Sequence, residues 1–247
     1  MESGLTGRIA LVTGASKGIG LAIAQGLAAE GVRLVMSSRS EARLREEADK
    51  LGAVAIPADV SRAEEIERLV AETVAQVGAP DVLVVNAGGP QPGSALAPDD
   101  AAWAAAVELT LMSAVRLARA CLPGMRQRKW GRILHVTSTS VLVPIPNLVL
   151  SNALRPAVTA FAKTLSAEVA ADGITVNCVA PGATDTERIR QLYPNAEALA
   201  AALAKIPAGR LATPAEVAAA SVFLASVPAA MITGQTLVVD GGATGRV

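Results

Sequence analysis

Three glycines near the amino terminus have the spacing of a turn that holds an anionic ligand. Gly14, Gly18 and Gly20 follow an apolar run, Ile9–Thr13, and precede a helical pattern that extends to Glu30. Glycine lets the backbone turn sharply and approach a ligand, and the free N–H groups of the following helix attract a phosphate. The spacing Gly-x-x-x-Gly-x-Gly differs from Gly-x-Gly-x-x-Gly and from a Walker loop. We interpret it as a dinucleotide-binding turn; a tight turn without a ligand is the alternative.

The residues after the second predicted strand indicate which dinucleotide this turn holds. An NAD site commonly has an acidic residue here that binds the ribose hydroxyls, but this chain has Ser37-Ser38-Arg39. Arg39 can bind a 2′-phosphate through two parallel hydrogen bonds, and Lys17 adds a second positive charge. The sequence therefore favours NADP over NAD. A solvated loop position for Arg39 is the alternative.

Few side chains in this sequence could move a proton near neutral pH. His135 is the only histidine and Tyr193 the only tyrosine. We expect His135, inside a predicted strand, to be a core or interface residue. We expect Tyr193 to pack a lid over the site, with a role as replacement acid as the alternative. Cys121 and Cys178 match no metal-ligand spacing, and we expect two reduced, buried thiols.

The chain alternates short apolar runs with longer helical patterns, which predicts an α/β fold. The runs are continuous and β-branched, as expected of parallel strands covered by helices on both faces. The predicted strands are Ile9–Thr13, Arg33–Ser37, Ala53–Pro57, Val82–Val85, Arg132–Ser138, Thr175–Val179 and Thr236–Val239. This alternation implies right-handed crossovers. Because no linker or composition shift divides the chain, we predict a single domain over residues 1–247.

Capping residues locate several helix starts. Ser40 is predicted to begin a helix that runs to Lys50, and Ser61–Glu64 has the spacing of a capping box. Thr213–Glu216 has the same spacing, with Pro214 in the favoured first position. The apolar stretch Val217–Thr233 falls short of the roughly 18 clean apolar residues that a membrane span needs. We interpret it as a buried helix followed by a loop.

The composition excludes several classes of protein. Of 247 residues, 51% are hydrophobic and 2% aromatic, which predicts a large aliphatic core. The 22 basic and 22 acidic residues cancel, so neither a nucleic-acid partner nor an acidic tail is indicated. Residues 1–7 lack the pattern of a signal peptide. We expect a cytoplasmic protein with no membrane partner.

Motifs along the whole chain resemble those of the short-chain dehydrogenase/reductase family, most closely the 3-oxoacyl-[acyl-carrier-protein] reductase group. They occur in the family's order: the turn Thr13–Gly20, Asp59-Val60, Asn86-Ala87-Gly88, Pro181-Gly182 with Thr186, and Asp240-Gly241-Gly242. The resemblance implies a doubly wound Rossmann fold with a seven-stranded parallel sheet. It also implies an NADP-dependent oxidoreductase.

The resemblance also implies a set of cofactor-binding residues. Asp59 and Val60 are expected beside the adenine, and the segment Asn86–Gly88 is expected along the cofactor. The segment Pro181–Thr186 is expected around the nicotinamide carboxamide. The complete predicted set is Gly14, Ser16, Lys17, Gly18, Ile19, Gly20, Arg39, Asp59, Val60, Asn86, Ala87, Gly88, Arg155, Pro181, Gly182, Thr184 and Thr186.

The catalytic positions depart from the family's pattern of an Asn, a Ser and a Tyr-x-x-x-Lys. Ser138 retains the serine, whereas Ser151 stands at the tyrosine position, Arg155 at the lysine position and Thr110 at the asparagine position. An aliphatic hydroxyl is shorter and far less acidic than a phenol, whose pKa is about 10. A positioned general acid is typically worth about 10²–10⁴ in rate. We therefore expect slow hydride transfer if these residues act alone.

Pro156 predicts a further change in this segment. Proline lacks an N–H group and disfavours helical geometry in the residue before it. We predict that the helix starts late, near Pro156, or is kinked there. Arg155 would then point differently from the family's lysine.

Two functions remain open from the sequence. The first is an NADP-dependent reductase acting on a small carbonyl or alcohol substrate. The second is a cofactor-binding but weak or inactive protein, acting as a sensor or partner subunit. A loop at Gly88–Gly93 and a lid at Thr184–Pro207 are expected to shape the substrate pocket. The apolar lid residues Ile189, Leu192, Leu199 and Leu203 favour a hydrophobic ligand.

The resemblance implies a homo-oligomer, either a dimer or a homotetramer. The expected contacts are two long helices, about Leu109–Gln127 and Pro156–Ala171. Their alanine-rich faces would allow close helix approach. These alanines are Ala114, Ala118, Ala157, Ala160 and Ala167.

Overall fold

The computed structural model describes residues 2–193 and 195–245, which form a parallel sheet with helices on both faces. The strands are β1 (Ile9–Thr13), β2 (Arg33–Ser37), β3 (Val54–Ala55), β4 (Val82–Val85), β5 (Gly131–Val136), β6 (Ile174–Pro181) and β7 (Thr236–Val239). The sheet has seven strands in the order β3-β2-β1-β4-β5-β6-β7, and each neighbouring pair is parallel. The predicted doubly wound fold is confirmed.

The helices connect successive strands. They are α1 (Gly18–Ala29), α2 (Glu41–Lys50), α3 (Ala63–Gln76), α4 (Asp100–Val107), α5 (Ser113–Arg128), α6 (Val149–Val169), α7 (Glu187–Leu192), α8 (Ala196–Leu203) and α9 (Pro214–Ala225). The predicted lid therefore contains α7 and α8. The predicted buried helix in the apolar stretch is confirmed as α9, which precedes a loop.

Strand lengths depend on how each strand is covered. Every residue of β4, β5 and β6 is buried, and β6 extends beyond the predicted Thr175–Val179. In contrast, the predicted strand Ala53–Pro57 is too long, since β3 at the edge of the sheet pairs only with β2 and over two residues. The predicted strand Arg132–Ser138 extends too far at its carboxyl end, since β5 stops at Val136.

The aliphatic core is divided between the two faces of the sheet. Leu11 of β1 belongs to the cluster that contains Leu69 of α3 and Leu117 of α5. Its neighbour Val12 belongs to the opposite cluster, which contains Ile23 of α1. Alternate strand residues therefore anchor helices on opposite faces. Burying a large aliphatic side chain contributes about 1.5–3 kcal/mol, so these contacts hold the helices against both faces of the sheet.

Two of the three predicted helix starts are confirmed. Ser40 is the N-cap residue of α2, without a side-chain capping bond, and Thr213–Glu216 forms a reciprocal capping box at α9. The box at Ser61–Glu64 is wrong. Ser61 donates its hydroxyl to Asp59 instead, at 2.8 Å, and α3 begins one residue later than a Ser61 cap allows, after Arg62.

The predicted helix break at Pro156 is also wrong. Helix α6 is continuous from Val149 to Val169 with the proline inside it. An interior proline costs about 3 kcal/mol. Four large buried side chains on the inner face of the helix offset that cost: Leu150, Leu154, Val158 and Leu165. Packing thus overrides the local preference of the backbone.

The predicted helix Leu109–Gln127 belongs to a longer run with a π-helical segment, Glu108–Met112, between α4 and α5. The run Asp100–Arg128 has the length and hydropathy of a membrane span. However, α5 places Leu117, Cys121 and Met125 in the core. The expected interface face is wrong for Ala114 and Ala118, which are buried within the chain.

Candidate active site

A cavity of about 810 Å³ lies at the carboxyl ends of the strands. The strand order reverses between β1 and β4, and open α/β sheets bind ligands at such a switch point. We call the part around Gly14–Gly20, Arg39 and Asp59 the cofactor end. The part around Ser138, Ser151 and Arg155 is the catalytic end. All these residues line the same cavity except Ala15 and Gly20, which lie within the turn itself.

The glycine-rich turn is fastened to the end of β4. Gly14 has a φ of 59°, and a Cβ atom on it would lie 2.5 Å from the carbonyl oxygen of Asn86. A Cβ on Gly20 would lie 2.3 Å from the carbonyl oxygen of Gly14. The Asn86 side-chain amide donates to that same Gly14 oxygen at 3.2 Å. Only glycine fits both positions, so the predicted turn has a steric basis.

The turn leads directly into the amino terminus of α1. Lys17 is its N-cap residue and forms no side-chain capping bond. The first N–H groups of the helix therefore lack a side-chain cap on the cavity side. Free N–H groups and the positive end of the helix dipole suit a phosphate. The residues present at the cofactor end thus fit a dinucleotide.

The cofactor end of the cavity is also lined by Ser38, Arg39, Asp59 and Val60. Burial raises the pKa of Asp59, but hydrogen bonds from Ser61 and the charge of Arg39 outweigh it, so this pKa lies below its usual value. Arg39 is exposed. Among the described residues it forms no ion pair within 4.0 Å, so its fork is available for a phosphate.

Lys17 differs from its predicted role as a free second cation. Its ammonium group pairs with Glu187 on α7, and Arg43 of α2 donates to the same carboxylate at 2.8 Å. These two hydrogen bonds lower the pKa of Glu187 to about 2. Helix α7 is thus joined through Glu187 to Lys17, before α1, and to Arg43 on α2. Sequence reasoning missed Arg43, which lies in the first turn of α2, shortly after Arg39.

Ser138 stands immediately after β5 and caps a short 3₁₀ turn, Thr139–Val141. Its Oγ accepts the N–H of Ser140 at 3.1 Å. The hydroxyl hydrogen of Ser138 is therefore free to be donated to another oxygen. Ser140 was not among the predicted site residues. Its side chain does not line the cavity, and Ser140 belongs to none of the motifs identified in the sequence.

Ser151 projects from the first turn of α6 and is buried. Its Oγ lies 3.2 Å from Oγ of Ser140. The hydroxyl is thus engaged with a neighbouring serine.

Arg155 lies one turn further along α6 and reaches the end of β5. Its Nη1 donates to the carbonyl oxygens of Val136, at 3.0 Å, and Thr137, at 2.9 Å. Burial, and to a lesser degree the charge of Arg188, lowers the pKa of Arg155 to about 10. The guanidinium therefore stays charged at neutral pH. Sequence reasoning missed Arg188, which lines the same cavity from α7.

Thr110 lies in the π-helical segment, beneath the catalytic end. It lines a small internal cavity of about 20 Å³ together with His135 and Arg155. Oγ1 of Thr110 and both ring nitrogens of His135 are buried without a hydrogen-bond partner among the described residues. Burial lowers the pKa of His135 to about 4. His135 is thus a neutral core residue at pH 7, as predicted, and it packs edge-on against Phe161 at 6.0 Å.

The other candidate groups differ in their access to the cavity. Tyr193 lines it from the end of α7. Cys121 and Cys178 are free, buried thiols, as predicted. Burial raises the pKa of both thiols to about 12. Neither cysteine is a nucleophile at neutral pH.

A doubly wound sheet with a glycine-rich turn at its switch point defines a dinucleotide-binding protein. The family model described as Enoyl-(Acyl carrier protein) reductase matches residues 14–244. The chain belongs to the short-chain dehydrogenase/reductase family.

Relatives and solved structures agree with this assignment. The chain is 40% identical over 242 residues to the 3-oxoacyl-[acyl-carrier-protein] reductase FabG of Vibrio cholerae, covering 96% of this chain and 98% of the relative. L-sorbose reductase from Gluconobacter frateurii, complexed with NADPH and L-sorbose, superposes with a TM-score of 0.94 at 35% identity, covering 100% of both chains. An actinorhodin polyketide ketoreductase with NADPH gives 0.93 at 36% identity, covering 97% and 98%.

Proposed function

We propose that the protein is an NADP(H)-dependent reductase that transfers hydride between the nicotinamide and a carbonyl or alcohol substrate. The observation that carries this proposal is one cavity that joins the glycine-rich turn to Ser138. The NADPH in the two solved relatives and their names as reductases support it.

The proposed cofactor contacts follow the cavity from end to end. The turn and the start of α1 hold the pyrophosphate, and Arg39 binds the 2′-phosphate. Asp59 and Val60 lie beside the adenine, and the segments Asn86–Gly88 and Pro181–Thr186 enclose the nicotinamide. When bound, the nicotinamide supplies or accepts the hydride.

Ser138 is the proposed contact to the reacting oxygen. Because its Oγ already accepts the N–H of Ser140, its own hydrogen can be donated to a substrate carbonyl. Such a donor, held in place before the reaction, stabilises negative charge that develops on the oxygen. The N–H groups of Arg155 that the described residues leave free can hold a ribose hydroxyl.

We propose that the site transfers a proton to the substrate poorly. Ser151 is shorter and less acidic than a tyrosine, and its hydroxyl already contacts Ser140. This engagement, with the two carbonyls held by Arg155, favours the second candidate function: a cofactor-binding protein with weak or absent turnover.

Turnover separates the two functions. The protein is incubated with NADPH and a panel of ketones that includes a 3-oxoacyl thioester, and nicotinamide absorbance is followed. Sustained oxidation above a Ser138→Ala control supports the reductase. Oxidation equal to that control, with NADPH bound to both proteins, supports the binding function.

We also propose that the protein is a homo-oligomer that uses α6. Ala160 and Ala167 are exposed on this helix, and Ala157 is half-buried. Light scattering tests this proposal, and a mass of one chain, 25.0 kDa, would contradict it.

A further inference from the structure

The catalytic end of the cavity carries two positive side chains, Arg155 and Arg188. Arg188 extends from α7, and its Nη2 donates to the carbonyl oxygen of Pro90 at 2.8 Å. Its guanidinium lies against Gly89, where a Cβ atom would be 3.2 Å from Nη2 and 3.4 Å from the central carbon. Arg188 is thus held against Gly89 and Pro90 in the loop that follows β4.

The nearby acidic side chains are bound to other cations. Glu187 pairs with Lys17 and Arg43, and Asp185 pairs with Arg190 at 3.4 Å. Within residues 2–193 and 195–245, no carboxylate lies within 4.0 Å of the guanidinium of Arg155 or Arg188. The catalytic end is therefore a local excess of positive charge in a protein whose formal net charge is zero.

The two guanidinium groups also act on each other. The charge of Arg188 contributes to the lowered pKa of Arg155, and burial lowers the pKa of Arg188. Like charges in a partly buried site repel each other, and an anion between them relieves that repulsion. Arg188 gives one hydrogen bond to the described residues, so most of its planar fork is available for a carboxylate or phosphate oxygen.

We propose that the substrate is an anionic carbonyl compound whose carboxylate is bound by Arg188. This inference rests on the proposed reductase function and names its substrate class. The carboxylate provides the recognition, and the half-buried Leu192 beside Ile189 on the lid provides apolar contact for the rest of the molecule. The diphosphate of the cofactor is a second source of anionic oxygens, so the test separates the two.

The test uses pairs of probes that differ only in charge. They are 2-oxohexanoate, 4-oxohexanoate and 5-oxohexanoate, each with its methyl ester. Binding to the protein–NADP⁺ complex is measured by calorimetry, and NADPH oxidation is measured separately. At least one acid is expected to bind about 10- to 100-fold more tightly than its ester, the range of a hydrogen bond to a charged group.

Variants of the lid identify the group responsible. Arg188→Gln is expected to abolish the preference for the acid, and Arg188→Lys to retain part of it. Lys205→Gln is the control, since it removes one positive charge from an exposed residue near the end of α8 that does not line the cavity. Its preference for the acid is expected to equal that of the wild type.

Two results would overturn the proposal. One is equal binding of every acid and its ester. The other is an unchanged acid preference in Arg188→Gln; if NADPH binding is weakened in the same variant, the guanidinium is assigned to the cofactor diphosphate. Failure of the reductase function is a different result, because the calorimetric preference decides the substrate charge even when no probe oxidises NADPH.

Discussion

The cofactor end and the catalytic end share one edge of the sheet but use their side chains differently. At the cofactor end, Asn86 and Thr13 fasten the backbone around Gly14, and the start of α1 has no side-chain cap. At the catalytic end, Ser151 and Arg155 form hydrogen bonds with the protein itself. The backbone geometry of the turn does not depend on exposed side chains, whereas acid–base chemistry depends on particular side-chain atoms. Binding can therefore persist where catalysis is weakened.

The largest expected effect comes from filling the turn. Gly14→Ala places a Cβ against Asn86 at a positive φ, and we expect it to lower the free energy of unfolding by about 2–5 kcal/mol, from backbone strain plus overpacking. NADPH binding should be lost with it. Gly52→Ala is the matched control, because Gly52 has a φ of 60° and nothing within 4 Å of its Cβ position.

Gly52→Ala should lower the free energy of unfolding by the strain alone, about 1–2 kcal/mol. Urea denaturation measures both variants. Equal losses in the two would mean that contact with Asn86 does not shape the cofactor end.

The second effect separates the two ends directly. Ser138→Ala removes the hydroxyl proposed to contact the reacting oxygen, so kcat/KM should fall about 10²- to 10³-fold. The Kd for NADPH should stay within about twofold, because Ser138 is not proposed to hold the phosphates. A steady-state assay and a fluorescence titration measure these quantities. A large change in Kd with unchanged kcat/KM would reverse the assignment.

The third effect concerns cofactor choice. Arg39→Gln should raise the Kd for NADPH about 10- to 100-fold and leave the Kd for NADH unchanged, since only NADPH has the 2′-phosphate. Arg45→Gln on α2 is the control, because Arg45 is exposed and pairs with Glu41. Loss of affinity for both cofactors in Arg39→Gln would contradict the assignment.

The smallest effect tests whether His135 is a core residue and not a proton donor. Its pKa is about 4 when folded and about 6.5 when unfolded. The unfolded state therefore binds more protons as the pH falls, and the protein should lose about 2 kcal/mol from this group between pH 7.5 and pH 5. His135→Leu should remove that loss. An unchanged pH dependence of urea unfolding in this variant would contradict the assignment.

The sequence predicts the fold well because its signals are repeated. Glycine spacing, capping at Thr213 and continuous apolar strands each restrict the same topology. The predicted helix break at Pro156 is wrong because the local backbone preference of proline carries no information about the tertiary packing of α6. The capping box at Ser61 fails because Asp59 competes for the same hydroxyl.

A part of the site can be predicted from the sequence only where one short segment of the chain forms it. The turn lies within eight residues, whereas the ion pairs of Lys17 and Arg43 with Glu187 join positions far apart in the chain. Arg188 likewise meets Gly89 and Pro90 only through the tertiary fold. Such contacts have no local sequence signature.

The most direct test of the account compares NADPH binding and turnover in one variant. Ser151→Tyr with Arg155→Lys and Pro156→Ala introduces a phenol and an ammonium group at the proposed catalytic positions, and Pro156→Ala alone is the control. We predict an unchanged Kd for NADPH, within about threefold, and a kcat raised at least about tenfold, toward the 10²–10⁴ of a positioned general acid. A folded variant that binds NADPH but gains no turnover, or a wild type that does not bind NADPH, would contradict the account.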